Sequence, residues 1–156
     1  MVVLDRVTST TTLSNSASET TMYTYSVPAN MGAKLGEVLD LEMIVTLVNF
    51  SGADRTYTVR VKFGGTTHID EALIPVPASS TLGRPTMVRV RIQNNGASSQ
   101  YISATISVGL PGNDWTAAPL LAPVTAVAAG TIDQTSAQTL AVTFQSDAAT
   151  STQTIV

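Results

Sequence analysis

Hydrophobic and polar positions alternate along most of this chain. Residues 37–49 (EVLDLEMIVTLVN) place Leu39, Leu41, Met43, Val45 and Leu47 on one phase, with Asp40, Glu42 and Thr46 on the other. A two-residue period sustained over that length predicts a strand with one buried face. The period returns at 55–63 (RTYTVRVKF), with Tyr57, Val59, Val61 and Phe63 inward and Thr58, Arg60 and Lys62 outward. Thr86, Val88, Val90 and Ile92 define a further inward face, against Arg89, Arg91 and Gln93. Ile102, Ala104, Ile106 and Val108 form the next, and Leu140, Val142 and Phe144 another. A weaker alternation over 19–27 sets Tyr23, Tyr25 and Val27 against Met22, Thr24 and Ser26 until Pro28 stops it, and 151–156 adds a last short strand.

The punctuation between these runs is that of turns. Gly64-Gly65 stands between two alternating segments and supplies the positive φ angles of a two-residue hairpin, so 66–74 returns antiparallel to 55–63. Phe50 to Asp54 (FSGAD) and Asn94-Asn95-Gly96 turn the chain in the same manner, and Pro75 and Pro77 close the segment before them. Residues 109–130, with two glycines and three prolines before Val124 and the only tryptophan, Trp115, read as one long irregular connection. Connections of that length are functional or covered by a partner. Residues 1–18 read as a Ser/Thr-rich extended arm that needs something to hold it, ahead of a single domain over 19–156. About eight short strands and no helix predict an all-β fold: an antiparallel two-sheet β-sandwich of the jelly-roll type.

Composition sharpens this picture. Of 156 residues, 24 are Thr and 15 Ser, so polarity comes from small hydroxyls, which suit strands and turns better than surface helices. There is no cysteine, which removes disulfide frameworks, thiolate nucleophiles and zinc ribbons. Net charge is −3, with no basic block to neutralise a row of phosphates, so nucleic acid is not an expected partner. Nor is a membrane: the longest weakly apolar run, AAPLLAPVTAVAAG over 117–130, has 14 residues and two prolines, against the roughly 20 needed to span a bilayer. The N-terminus carries Asp5 and no apolar stretch of signal-peptide length. Charge is also unevenly spread. Residues 92–156 contain no Lys or Arg and only Asp114, Asp133 and Asp147 as acids, too few to dress a surface that meets water everywhere.

Candidate chemistry is sparse. His68 is the only histidine, and His68-x-Asp70 sets both side chains on one strand face in poor geometry for an orienting carboxylate, so no catalytic role is assigned. Asp40 with Glu42, or Asp70 with Glu71, could be drawn as an acid pair, but a solvated strand face accounts for them. Asn113-Asp114 beside Trp115 offers one carboxylate where calcium needs six to eight oxygens. No metal and no cofactor is therefore expected. Trp115 reads as a loop anchor, with stacking on a sugar as the alternative. Arg60, Lys62, Arg89 and Arg91 occupy outward phases, where they keep a sheet soluble or, alternatively, form a positive stripe that meets an acidic neighbour.

Three segments, YSVPANMGAKLGEVLDL (residues 25–41), RTYTVRVKFGGTT (55–67) and AGTIDQTSAQTLAVTFQ (129–145), resemble the jelly-roll domains of tailed-bacteriophage virion proteins such as capsid decoration proteins, head fibres and tail-fibre tips. The resemblance implies a β-sandwich assembling as a homotrimer, with no enzymatic activity and no cofactor. It implies a place on the capsid exterior after synthesis in the host cytoplasm, with the major capsid protein as partner. The expectation is a decoration protein that stabilises the head. The alternative is a fibre tip that binds a receptor or glycan.

Overall fold

A computed structural model of the chain describes residues 13–14, 16–31, 34–49, 52–72, 76, 83–109, 124–149 and 153–155. These form ten strands: β1 (Leu13–Ser14), β2 (Thr20–Val27), β3 (Val38–Asn49), β4 (Tyr57–Phe63), β5 (Thr66–Ala72), β6 (Arg84–Asn94), β7 (Gln100–Val108), β8 (Val124–Gly130), β9 (Gln138–Ser146) and β10 (Gln153–Ile155). The eight longer strands make two four-stranded antiparallel sheets packed as a sandwich, β3-β6-β7-β8 over β2-β9-β4-β5. The short β10 and then β1 extend the first sheet beyond β3.

The alternation read from the sequence is the alternation of burial. Along β4 every odd residue from Tyr57 to Phe63 is buried and every even one only partly covered. Val88, Val90 and Ile92 of β6 meet Ile102, Ala104 and Ile106 of β7 within one sheet, and all six are buried. Leu140, Val142 and Phe144 of β9 pair with Phe63, Val61 and Val59 in the other sheet. Burying each such Val, Ile, Leu or Phe side chain contributes about 1.5–3 kcal/mol, so this shared interior is the main source of stability. The Gly64-Gly65 hairpin forms as read, with φ of +59° and +78° and Phe63 opposite Thr66.

One reading needs correction. Residues 124–130, placed in the irregular connection, are a regular strand antiparallel to β7. Their alternation is Val and Ala against Thr, Val and Ala, so both phases are small or apolar and the period carries no contrast. Residues 110–123, including Trp115 and Asn113-Asp114, lie outside the described residues. The strand order is that of the jelly roll: β1-β10-β3-β6 faces β2-β9-β4-β5, and the β7–β8 hairpin is added at the β6 edge. The arm is held along part of its length. Leu13–Ser14 pairs with β10, and the Gln145 side chain donates to the Ala17 carbonyl at 2.9 Å. Residues 1–12 and 15 lie outside the described residues.

Candidate functional site

The lone histidine sits at an irregularity. In the β4–β5 ladder Lys62 opposes Thr67 while Val61 opposes Ile69, so His68 is the extra residue of a bulge. Its ring is partly buried, with Nε2 3.3 Å from the Phe63 carbonyl oxygen and Cε1 close to Gly130 of the opposite sheet. Asp70 points outward and binds Arg60 at 3.1 Å. The shared face expected of His68 and Asp70 is therefore broken by the bulge. Among the described residues no group of three or more His, Asp or Glu side chains could hold a metal ion, and no helix is long and apolar enough to cross a membrane.

The four outward bases do not form one stripe. β4 and β6 belong to different sheets, so Arg60 and Lys62 project from one outer face of the sandwich and Arg89 and Arg91 from the other. Each base is met by acceptors of the same chain. Arg91 is opposite Asp40 in the β3–β6 ladder and grips it with two hydrogen bonds, of 2.8 and 3.1 Å. Arg89 binds Glu42 at 2.8 Å one pair further along. The Arg91 bond holds the Asp40 carboxyl below its ordinary range. On the other face Lys62 and Arg60 converge on Glu19, Arg60 also reaches Asp70, and Arg60 donates to Gln145 at 2.7 Å. Hydrogen bonds from Lys62 and then Thr143 lower the Glu19 carboxyl, against a small opposing effect of burial. The sequence showed outward bases; it could not show that acids stand directly across from them, because register is a long-range property.

One end of the sandwich is tied together by buried amides. Gln100, 1% exposed, donates to the Ile132 carbonyl and accepts from the Ile132 N–H, both at 2.9 Å, copying a strand pair with a side chain. Gln134 donates through its side chain to Asn94, its N–H donates to the Ala97 carbonyl at 2.8 Å, and its own carbonyl accepts from Asn30, which takes a left-handed φ of 62°. Beside this network is a cleft of about 240 Å³ with Val27, Leu39, Phe63 and Ile92 among its lining and Glu37, Asn94 and Gln134 as its polar groups. Asn94 and Gln134 already bond each other there, so the cleft presents few free polar atoms to orient a small molecule.

Apolar surface is concentrated on one sheet. Val38, Ile44, Tyr101 and Val127, exposed by 47%, 61%, 55% and 69%, all project from the outer face of β3-β6-β7-β8. They surround the two neutralised Arg–acid pairs and the hydroxyls of Ser103, Thr105, Ser107 and Thr125. The inward-phase assignment passed over these residues, although Ile44 and Tyr101 are visibly apolar at outward positions. This is an all-β sandwich whose features are surfaces: paired charges, apolar side chains exposed on one outer sheet face, and no gathered chemistry among the described residues. Comparisons with protein-family models, with curated proteins and with solved structures return no match.

Proposed function

We propose that this chain is a structural virion protein, a capsid decoration protein that binds the outside of a tailed-phage head as a homotrimer and stabilises it by contact with the major capsid protein. The observation that supports this reading most is the division of charge. Residues 92–156 hold no Lys or Arg, and the outer face to which β7 and β8 belong exposes Val38, Ile44, Tyr101 and Val127. The guanidinium groups on that face are bonded to Asp40 and Glu42. Interface cores are depleted of unpaired charge in just this way, whereas a surface built only for water is not. The phage setting rests on the resemblance of the three segments described from the sequence. No catalytic residue and no cofactor is assigned in this role.

The test is binding to heads that lack the protein. The purified chain, a trimer by light scattering, should co-sediment with such heads and raise the temperature at which they open. A monomer at all concentrations that never sediments with heads defeats the reading. A receptor- or glycan-binding tip is the second reading, favoured by Tyr101, 55% exposed on the outer face of the sheet, where a sugar can stack on its ring. Binding to a glycan array that Tyr101→Ala abolishes, without binding to heads, would establish it instead.

A further inference from the structure

Among the described residues the two sheets end in four edges, and three of them carry devices that discourage further strand pairing. β2 is interrupted by a bulge between Thr21 and Tyr23, and Glu19 precedes it. β5 carries the His68 bulge together with Asp70 and Glu71. β1 is two residues long. β8 has none of these features: its seven residues, VTAVAAG, are uncharged, lack proline and keep unbroken register with β7. Val127 at its centre is 69% exposed. A regular, neutral edge of this kind is a template for another strand.

Among the described residues, a second free edge lies on the far side of the same sheet. β10 pairs with β3 only at residues 47–49, and no other described strand pairs with the outer edge of residues 38–46. The flanks beside both edges are incompletely covered. Leu39, Leu41 and Met43 of β3, with Met22, Tyr23 and Tyr25 of β2, are only partly buried on one side, as are Ala126 and Ala128 of β8 on the other.

The register relates the two edges. Asp40 stands opposite Arg91, Arg91 opposite Ser103, and Ser103 opposite Val127; in the same way Glu42, Arg89, Thr105 and Thr125 form one row. β8 therefore lies level with residues 37–43, the part of β3 that β10 leaves open. Three successive antiparallel pairings also leave β8 running opposite to β3. Rotation about an axis along the strands keeps both level and direction. It brings β8 of one copy antiparallel to the free edge of β3 in the next, with Val127 beside Asp40 and Thr125 beside Glu42.

We propose that copies of this chain join head to tail through these two edges, β8 of one against residues 38–43 of the next, and that three such contacts close a ring. The proposal rests on the homotrimer of the proposed function and names its interface. β8 adds no charge to the contact, and Asp40 and Glu42 already hold Arg91 and Arg89, so no unpaired charge is created. The same approach brings the partly buried flank of β2 and β3 against the flank of β8, and a contact between two different edges is the kind that closes into rings.

The chain has no cysteine, so introduced thiols report without interference. Val127→Cys is combined in turn with Val38→Cys, Asp40→Cys and Glu42→Cys, four exposed outward positions that allow for a two-residue slip either way. Facing Cβ atoms of paired strands lie ~4.5–5.5 Å apart, close enough for a strained or relaxed disulfide after small adjustment. Under mild oxidation of the full chain, one double variant should run mainly as a covalent three-chain species on a non-reducing gel, with Val127→Cys alone remaining uncrosslinked. A two-chain species from Val127→Cys alone overturns the proposal in favour of two-fold β8 pairing. A trimer by light scattering that no pair cross-links overturns this interface and leaves the trimer standing. A monomer by light scattering overturns both.

Discussion

At the scale of single residues, two buried polar side chains set measurable properties. Gln100 satisfies both backbone groups of Ile132, so Gln100→Leu keeps the volume and leaves a donor and an acceptor unpaired. The expected loss is about 1–3 kcal/mol of unfolding free energy, read as a lower urea midpoint with an unchanged slope. Tyr57, 1% exposed, donates its hydroxyl to the Val48 carbonyl at 2.9 Å, and burial pushes its pKa up from 10.0 to about 12. The phenolate is the disfavoured form, so this contribution to stability is complete below pH 10 and is lost as pH rises towards 12. Absorbance titration at 295 nm should show one tyrosine lagging until that range, and the lag should vanish in Tyr57→Phe. Glu19 gives the opposite slope. Its carboxyl is lowered by Lys62 first, so its contribution is present above about 4.5 and disappears as pH falls through the lowered value. Wild type should therefore exceed Glu19→Gln in unfolding free energy from urea titration at pH 7, by no more than about 1 kcal/mol, with the difference closing under acid conditions. None of these three roles was legible beforehand: their partners lie 9 to 124 positions away along the chain.

At the scale of elements, the hairpin between β4 and β5 was legible because its cause is local. Two glycines in sequence admit two positive φ angles, and no tertiary contact is needed to choose the turn. The sandwich then adds its own demand at one of the two. A Cβ on Gly64 would lie 2.6 Å from Ile132 Cγ2, whereas one on Gly65 would meet nothing within 4 Å. Gly65→Ala should cost only the left-handed backbone strain, about 1–2 kcal/mol, and Gly64→Ala should cost clearly more, a ranking that thermal unfolding of the pair can check. β8 escaped notice for the converse reason. Ala126 and Ala128 face inward and Val127 faces out, so apolarity does not mark the buried phase and only the hydrogen bonds of β7 define the strand. The β5 bulge at His68 was equally invisible, since an extra residue shows itself only against its partner strand.

At the scale of the whole molecule, the arrangement of charge changes what the composition meant. The central bases looked like a stripe in the sequence, and the sandwich separates them onto opposite faces and neutralises each with its own acids. Reversing two of them, Arg89→Glu with Arg91→Glu, would set two new acids directly opposite Asp40 and Glu42, four in all on adjacent strands. The expected result is a lower urea midpoint that recovers partly in high salt, because screening weakens repulsion between exposed like charges. If the chain associates through β8 and β3 as proposed, its thermal midpoint should also rise with protein concentration, since anything that binds only the folded state stabilises it by mass action. A midpoint independent of concentration would mean that unfolding is not coupled to assembly.

By itself the sequence determined the all-β class, the inward faces of the longer strands and the positions of the tight turns, because two-residue periodicity and glycine stereochemistry act within a few residues. Only the tertiary structure decided which strands are neighbours, which acid meets each base and which edges remain unpaired. Those depend on register and sheet order, quantities that arise between segments far apart in the chain. They turned a low content of charge into two particular edges, β8 and the open part of β3, at one level and in opposite directions.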